Sequence, residues 1–254
     1  MNVAVVRARV ASSAARSGRS PDAVRIVGVT KYASPAVMAE LPSLGITDLG
    51  ENRVQQLVER AVAAGPAQVG WPSGPATAEA ARPRWHMIGH LQRNKVRQLL
   101  PHCRIVHSVD SERLVQVLEQ EAARLETASA ATEPVRVDVL IEVSVTGEES
   151  KGGVPPAATA PLAAAIAGCR HLLLRGLMTM APLNPDSEAA RPVFARLREL
   201  LGTLRSGGVV GPSCEHLSMG MSQDYEVAVE EGATLVRIGS ALFEGIESDD
   251  PRRT

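Results

Sequence analysis

The stretch CEHLSMGMSQDYEVAVEEGATLVRIGS, residues 214 to 240, decides the fold. Two short runs, Cys214 to Ser218 and Thr234 to Ile238, read as strands, and the segment between them reads as a helix beginning near Gln223. Each run ends in a turn of small and hydroxylated residues: Gly220 with Ser218 and Ser222, then Gly239 with Ser240. Strand, turn and helix in that order are the repeat of a parallel α/β fold. Traced outward, the same alternation covers the chain. Further strand-like runs lie at Arg25 to Lys31, Thr47 to Gly50, Trp85 to Gly89, Arg104 to His107, Val135 to Val145 and Leu172 to Met180. Helical spacing separates them in Val54, Leu57, Val58 and Ala61, in Leu114, Leu118, Ala122 and Leu125, and in Val193, Leu197, Leu200 and Leu204. Ser34-Pro35, Ser111-Glu112 and Asn184-Pro185 read as helix starts. Eight strands with intervening helices predict a single (β/α)8 TIM-type barrel over residues 1 to 245. Segments 65 to 84 and 127 to 134, rich in Ala, Gly, Pro, Ser and Thr, read as surface insertions, and 246 to 254 as a charged tail. An open doubly wound sheet is the alternative. Its GxGxxG fingerprint is missing from the first strand–helix turn, Val29-Thr30-Lys31-Tyr32-Ala33.

The 254 residues carry a net charge of −1, with both signs spread along the chain, so neither a nucleic-acid nor a membrane partner is indicated. Six aromatic residues leave little for base stacking. Cys103, Cys169 and Cys214 form no CxxC, so no disulfide framework or metal site is expected. No apolar run approaches about 18 residues and the N-terminus has no signal-peptide core, which predicts a cytoplasmic protein. The 27 basic residues divide into 24 Arg and three Lys: Lys31, Lys95 and Lys151. An Arg-rich codon usage replaces Lys wherever charge alone is needed. Arg is no substitute where an amine must lose its proton or form a carbon–nitrogen double bond.

Barrel active sites gather at the C-terminal ends of the strands, and phosphate is often held by the loops after strands seven and eight. Here those loops supply Gly220, Gly239, Ser218, Ser222 and Ser240. Small residues let the backbone approach an anion, and helix-terminal N–H groups and hydroxyls donate to it. The same residues also fit a plainer reading, with Ser222 capping the helix near Gln223 and Gly239 a turn glycine. Lys31 ends strand one, where burial favours the neutral amine that attacks a carbonyl, although a lysine there also pairs simply with a carboxylate. Strands one and eight are neighbours in a closed barrel. A phosphate cradle beside an amine suits a phosphorylated aldehyde, and pyridoxal 5′-phosphate (PLP) is such a molecule. Asn52 and His90 are candidates to orient a ring substituent; Met178, Met219 and Met221 read as fillers of apolar gaps. His86 and His90 would form a metal pair only on a helix, and the segment reads as a strand. Lys95 reads as part of a solvated helix face, and Lys151 as a loop charge beside the site.

The segments VGVTK (27 to 31), LGENRVQQ (49 to 56), WHMIGHLQRNKVRQLL (85 to 100), VHSVDS (106 to 111), VLIEVSVTGEESKGG (139 to 153), LRGLMTMAP (174 to 182) and LSMGMSQDYEVAVEEGATLVRIGSALFEG (217 to 245) together resemble the pyridoxal-phosphate homeostasis protein family. The resemblance implies a barrel similar to the N-terminal domain of alanine racemase, with PLP as a Schiff base on Lys31. It implies a cofactor-binding set of Lys31, Asn52, His90, Ser218, Met219, Ser222, Arg237, Gly239 and Ser240, with Arg237 facing the pyridine nitrogen. It implies intracellular vitamin B6 homeostasis without catalytic turnover, and apo-PLP enzymes as recipients. Tyr32 departs from the small or polar residue usual in the family.

The alternative is a single-domain PLP-dependent amino-acid racemase; a third reading is a phosphate-binding barrel enzyme without PLP. A charged arginine at the pyridine nitrogen makes PLP a poor electron sink, yet alanine racemases share it. Those racemases take a tyrosine from a second domain, and this chain has no room for one. Tyr225 is the candidate substitute. A closed barrel has no free sheet edge, which is compatible with a monomer.

Overall fold

The computed structural model describes residues 1–31, 33–65, 82–129, 134–147 and 152–245. Eight parallel strands close into a barrel in sequence order: β1 (Arg25–Val29), β2 (Asp48–Glu51), β3 (Arg84–Met87), β4 (Ile105–Val109), β5 (Val137–Glu142), β6 (Leu172–Met178), β7 (His216–Ser218) and β8 (Leu235–Ile238). Pairing of Val27 with Asp48 on one side and with Arg237 on the other joins β1 to both β2 and β8. The expected TIM-type barrel is the fold, and no open sheet edge remains.

The helices pack outside this cylinder. They are α1 (Val3–Arg16), α2 (Pro35–Glu40), α3 (Val54–Ala64), α4 (Val96–Leu99), α5 (Glu112–Ser129), α6 (Pro156–Ala167), α7 (Arg191–Ser206), α8 (Tyr225–Glu230) and α9 (Ser240–Phe243). Val54, Leu57 and Ala61 of α3 are buried, as are Leu114, Leu118 and Ala122 of α5, so the spacing seen in the sequence marks the core faces. On α7 the buried stripe runs Val193, Leu197, Leu201 and Leu204, with Leu200 only partly buried, because a helix of 3.6 residues per turn drifts from a strict heptad. The sequence reading missed α1, whose Val3, Val6, Val10 and Ala14 are buried; the same spacing was there to be found. Ser34 caps α2 by accepting from the Val37 N–H at 3.3 Å, and Ser111 receives the Leu114 N–H at 3.4 Å. Asn184 starts no helix. Its side chain receives the Asp186 N–H at 2.9 Å in a local turn, and Asp186 caps the 3₁₀ turn Ser187–Ala190 that leads into α7.

Several boundaries shift. β1 stops at Val29, and Lys31 sits in the following turn, closed by the Ala33 N–H donating to the Thr30 carbonyl at 2.8 Å. Of the insertion expected at 65 to 84, Gly65 is the C-cap of α3 and Arg84 begins β3; residues 66 to 81 lie outside the described residues. The insertion expected at 127 to 134 is helical in α5 as far as Ser129, and 130 to 133 lie outside the described residues. So do Tyr32, Lys151 and the tail 246 to 254.

Strand alternation divides the buried side chains into two sets. The larger set packs between barrel and helices, and includes Trp85, Met87, Leu177, Leu217 and Val236. The smaller fills the cylinder with Val27, Leu140, Met178 and Leu235. Below that apolar layer, at the N-terminal ends of the strands, the interior is charged. Arg84 Nη1 lies 2.7 Å and Arg25 Nη1 3.5 Å from Asp48 Oδ1, and Arg175 Nε 2.6 Å from Asp138 Oδ1. The C-terminal end is open.

Candidate functional site

A cavity of about 700 Å³ occupies the C-terminal mouth of the barrel. Val29, Ile88, Met180, Met221 and Phe243 give it apolar walls, and Lys31, Glu142 and Arg237 give it charge. Asn52, His90, Ser222, Gly239 and Ser240 also line it, so seven of the nine expected cofactor residues meet at one cavity. A shallower groove of about 720 Å³, lined by Gln92, Arg93, Asp110 and Arg113, adjoins it at His90.

Lys31 is placed by the turn after β1. Thr30 anchors that turn by donating its hydroxyl to Glu51 Oε1 at 2.5 Å, and Arg60 of α3 donates to the same oxygen at 2.6 Å and to the Thr30 carbonyl. Burial raises the Glu51 carboxyl, and the charges of Arg60 and Lys31 pull it back. Lys31 therefore emerges from a braced turn at the cavity wall.

At the β7 and β8 ends the backbone is shaped for an anion. Gly220 has φ +92°, and a Cβ there would lie 2.5 Å from Ala228 Cβ, so only glycine makes this turn. The Met221 N–H donates to Asp224 Oδ1 at 2.6 Å, and α8 begins at Tyr225, two residues later than the sequence reading placed it. Ser222 therefore does not cap α8. Its hydroxyl instead receives the Gly239 and Ala241 N–H groups, each at 3.2 Å, across the mouth at the head of α9. The Ser240 N–H between them has no acceptor among the described residues. This is a small nest of donors at one end of the cavity.

Two of the expected residues are elsewhere. Ser218 is fully buried beneath the floor, its hydroxyl 2.7 Å from Arg237 Nη1 and 2.8 Å from His107 Nδ1. Met219 is buried in the layer between barrel and helices. The short β7 turns over at Ser218, so this serine faces the cylinder interior and the next residue faces out. His90 sits on the rim, with Nδ1 3.4 Å from Asp110 Oδ2, whereas His86 is buried inside the barrel; the two are no metal pair. Among the described residues no cluster of metal-ligating side chains exists.

Arg237 projects upward from β8, only 4% exposed, with Nη2 donating to the Thr179 carbonyl at 3.0 Å. Burial lowers it to about 10, so it remains a cation at neutral pH. Glu142 escaped the sequence reading. It shares the inward face of β5 with Asp138 and Leu140, which was the available signal. Burial, with the charge of Asp110 added, pushes its carboxyl up to about 7 against the pull of Arg237. Tyr225 is buried outside the cavity, and burial raises its ionisation.

The family model for the alanine racemase N-terminal domain matches residues 5–246. A pyridoxal phosphate homeostasis protein of Aquifex aeolicus is 37% identical over 236 residues, 92% of each chain. A crystal structure of an unknown protein from Bifidobacterium adolescentis superposes with a TM-score of 0.81 at 31% identity, covering 95% of this chain and 93% of that one. The structure of PipY from Synechococcus elongatus with PLP bound superposes with a TM-score of 0.73 at 28% identity, over 94% of this chain and 99% of that one.

Proposed function

This chain belongs to the family of pyridoxal phosphate homeostasis proteins, built on the alanine racemase N-terminal domain, and from that membership we propose that it binds PLP in the barrel mouth. The observation that carries this reading is the convergence of Lys31, Arg237 and the Ser222–Gly239–Ser240 donors on one cavity. The donor set fits the molecule: an amine for the aldehyde, a cation for the ring nitrogen, and hydroxyls with a free N–H for the phosphate.

PLP, when bound, supplies an aldehyde that condenses with a primary amine, and a conjugated ring. Lys31 would offer that amine, held at the cavity wall by the braced turn after β1. The Ser222 and Ser240 hydroxyls and the Ser240 N–H would hold the phosphate, with Asn52 and His90 at the rim of the same cavity. Arg237 keeps its proton and would donate to the ring nitrogen, leaving the ring without positive charge there and a weak electron sink. That favours storage over turnover. Racemisation needs a second acid–base group besides Lys31, and Tyr225 does not line the cavity. The role we assign is a PLP carrier inside the cell that passes cofactor to apo-PLP enzymes; its closed sheet permits a monomer. No described helix is long and apolar enough to cross a membrane.

The test is titration of the protein with PLP. A visible Schiff-base band should appear, be trapped by borohydride and be absent in Lys31→Ala. Wild-type protein that forms no such band refutes the proposal, and amino-acid racemisation abolished by Lys31→Ala would establish the racemase instead.

A further inference from the structure

Beneath the cavity floor, five buried side chains from five strands join end to end. Arg237 Nη1 (β8) lies 2.7 Å from Ser218 Oγ (β7), which lies 2.8 Å from His107 Nδ1 (β4). His107 Nε2 lies 2.9 Å from His86 Nδ1 (β3), and His86 Nε2 lies 2.9 Å from Asp48 Oδ1 (β2). None of the five is more than 5% exposed. The series runs from the mouth of the barrel to the charged layer at its opposite end.

The two ends set the direction of every proton between them. A guanidinium only donates and a carboxylate only accepts. Ser218 therefore accepts from Arg237 and donates to His107 Nδ1; His107 donates from Nε2 to His86 Nδ1; His86 donates from Nε2 to Asp48. With both imidazoles neutral, reversing any one link would face two donors or two acceptors, so both carry the proton on Nε2. Burial keeps both rings neutral by lowering them, and the charges of Arg84 and Arg25 at His86 and of Arg237 at His107 push the same way against Asp48. At the far end the hydrogen bond from His86, with the charges of Arg25 and Arg84, holds the Asp48 carboxyl well below its usual range despite burial.

We propose that Ser218, His107, His86 and Asp48 are positioning residues for Arg237, forming one directional hydrogen-bond chain that aims the guanidinium into the mouth of the barrel. The proposal rests on the reading of that mouth as a PLP site. Arg237 is anchored from below through Nη1 and by the Thr179 carbonyl through Nη2, so its remaining N–H groups face the ligand without rotamer freedom. A cation held in one place before the ligand arrives spares the ordering cost of binding.

Two measurements test it. In unliganded protein with ¹⁵N-labelled histidine, His86 and His107 should both show the Nε2–H tautomer, unchanged between about pH 6 and 8. An Nδ1–H signal from either ring, or titration of either in that range, overturns the chain. The second compares Ser218→Ala and Ser218→Thr. Losing a hydrogen bond to a charged group should weaken PLP binding at least about tenfold in Ser218→Ala and shift the visible band, with Thr restoring both. Affinity for inorganic phosphate, held at the other end of the cavity, should stay unchanged. Equal loss for phosphate and PLP, or PLP binding like wild type, overturns the positioning role. If Ser218→Ala does not fold, the tautomer measurement on the wild-type protein still decides the chain. A wild-type protein without a Lys31-dependent band refutes the PLP reading, and the tautomer measurement still decides the chain.

Discussion

Replacing Glu142 by Gln should make the protein more stable, and the gain should grow with pH. The carboxyl moves from an ordinary value of 4.5 to about 7 in the folded chain, chiefly because burial disfavours its charge. Between those two values the folded state holds a proton that the unfolded chain has released. Stability therefore falls as pH rises through this window, by about 1.36 kcal/mol for each pH unit. The full span from 4.5 to about 7 corresponds to about 3 kcal/mol, and water entering the open cavity reduces it towards about 1–2 kcal/mol. Gln fills the same volume and cannot ionise. Urea unfolding of both proteins across about pH 4 to 8 gives the difference directly, since other titrating groups cancel. The two should be alike below about pH 4.5 and diverge to a plateau above about pH 7. A difference that stays flat over this range would mean that Glu142 titrates normally, and the cavity wall would then be far more polar than its lining suggests.

The remaining predictions concern other parts of the barrel. Gly220→Ala forces a Cβ onto a φ of +92° and against Ala228, so it should cost about 1–3 kcal/mol in urea unfolding and weaken PLP binding; wild-type behaviour in both would show that the turn relaxes freely. Ser240→Asp places a carboxylate beside the anion-facing donors at the head of α9 and should weaken PLP and inorganic phosphate alike in titrations; unchanged affinity would mean the anion sits elsewhere. Leu57→Ala removes a fully buried side chain of α3 and should lower unfolding free energy by about 2–5 kcal/mol. His171 lies between Glu119 at 2.8 Å and Glu126 at 2.7 Å, and their hydrogen bonds raise it against burial. Its contribution is complete below the ordinary histidine value and fades as pH rises through the raised one, so the melting-temperature deficit of His171→Ala should shrink from acid to alkaline pH.

How much was legible depends on the range of the interaction. Each strand announced itself within its own run, because alternation and helical spacing are properties of neighbours two to four residues apart. Lys31 was legible for a similar reason: an Arg-rich chain that keeps a lysine at a strand end keeps an amine there. Ser218 was misread because a strand end does not reveal which of two successive residues points inward. The contact of His86 with His107 gave no signal, since each has the burial of an ordinary core residue until its partner is known.

The sequence by itself determined the order of the elements, their closure into one barrel and the chemistry available at its mouth, through local periodicity and residue type. Only the tertiary structure decided what the interior does with its polar groups. His107 meets Ser218 across 111 residues of chain, and His86 meets Asp48 across 38, at contacts set by the stagger of strands around a closed cylinder. The same closure buries Glu142 near Arg237 and turns Tyr225 towards α1. Proton affinity and hydrogen-bond direction depend on what surrounds a group in space, and no spacing along the chain carries that information.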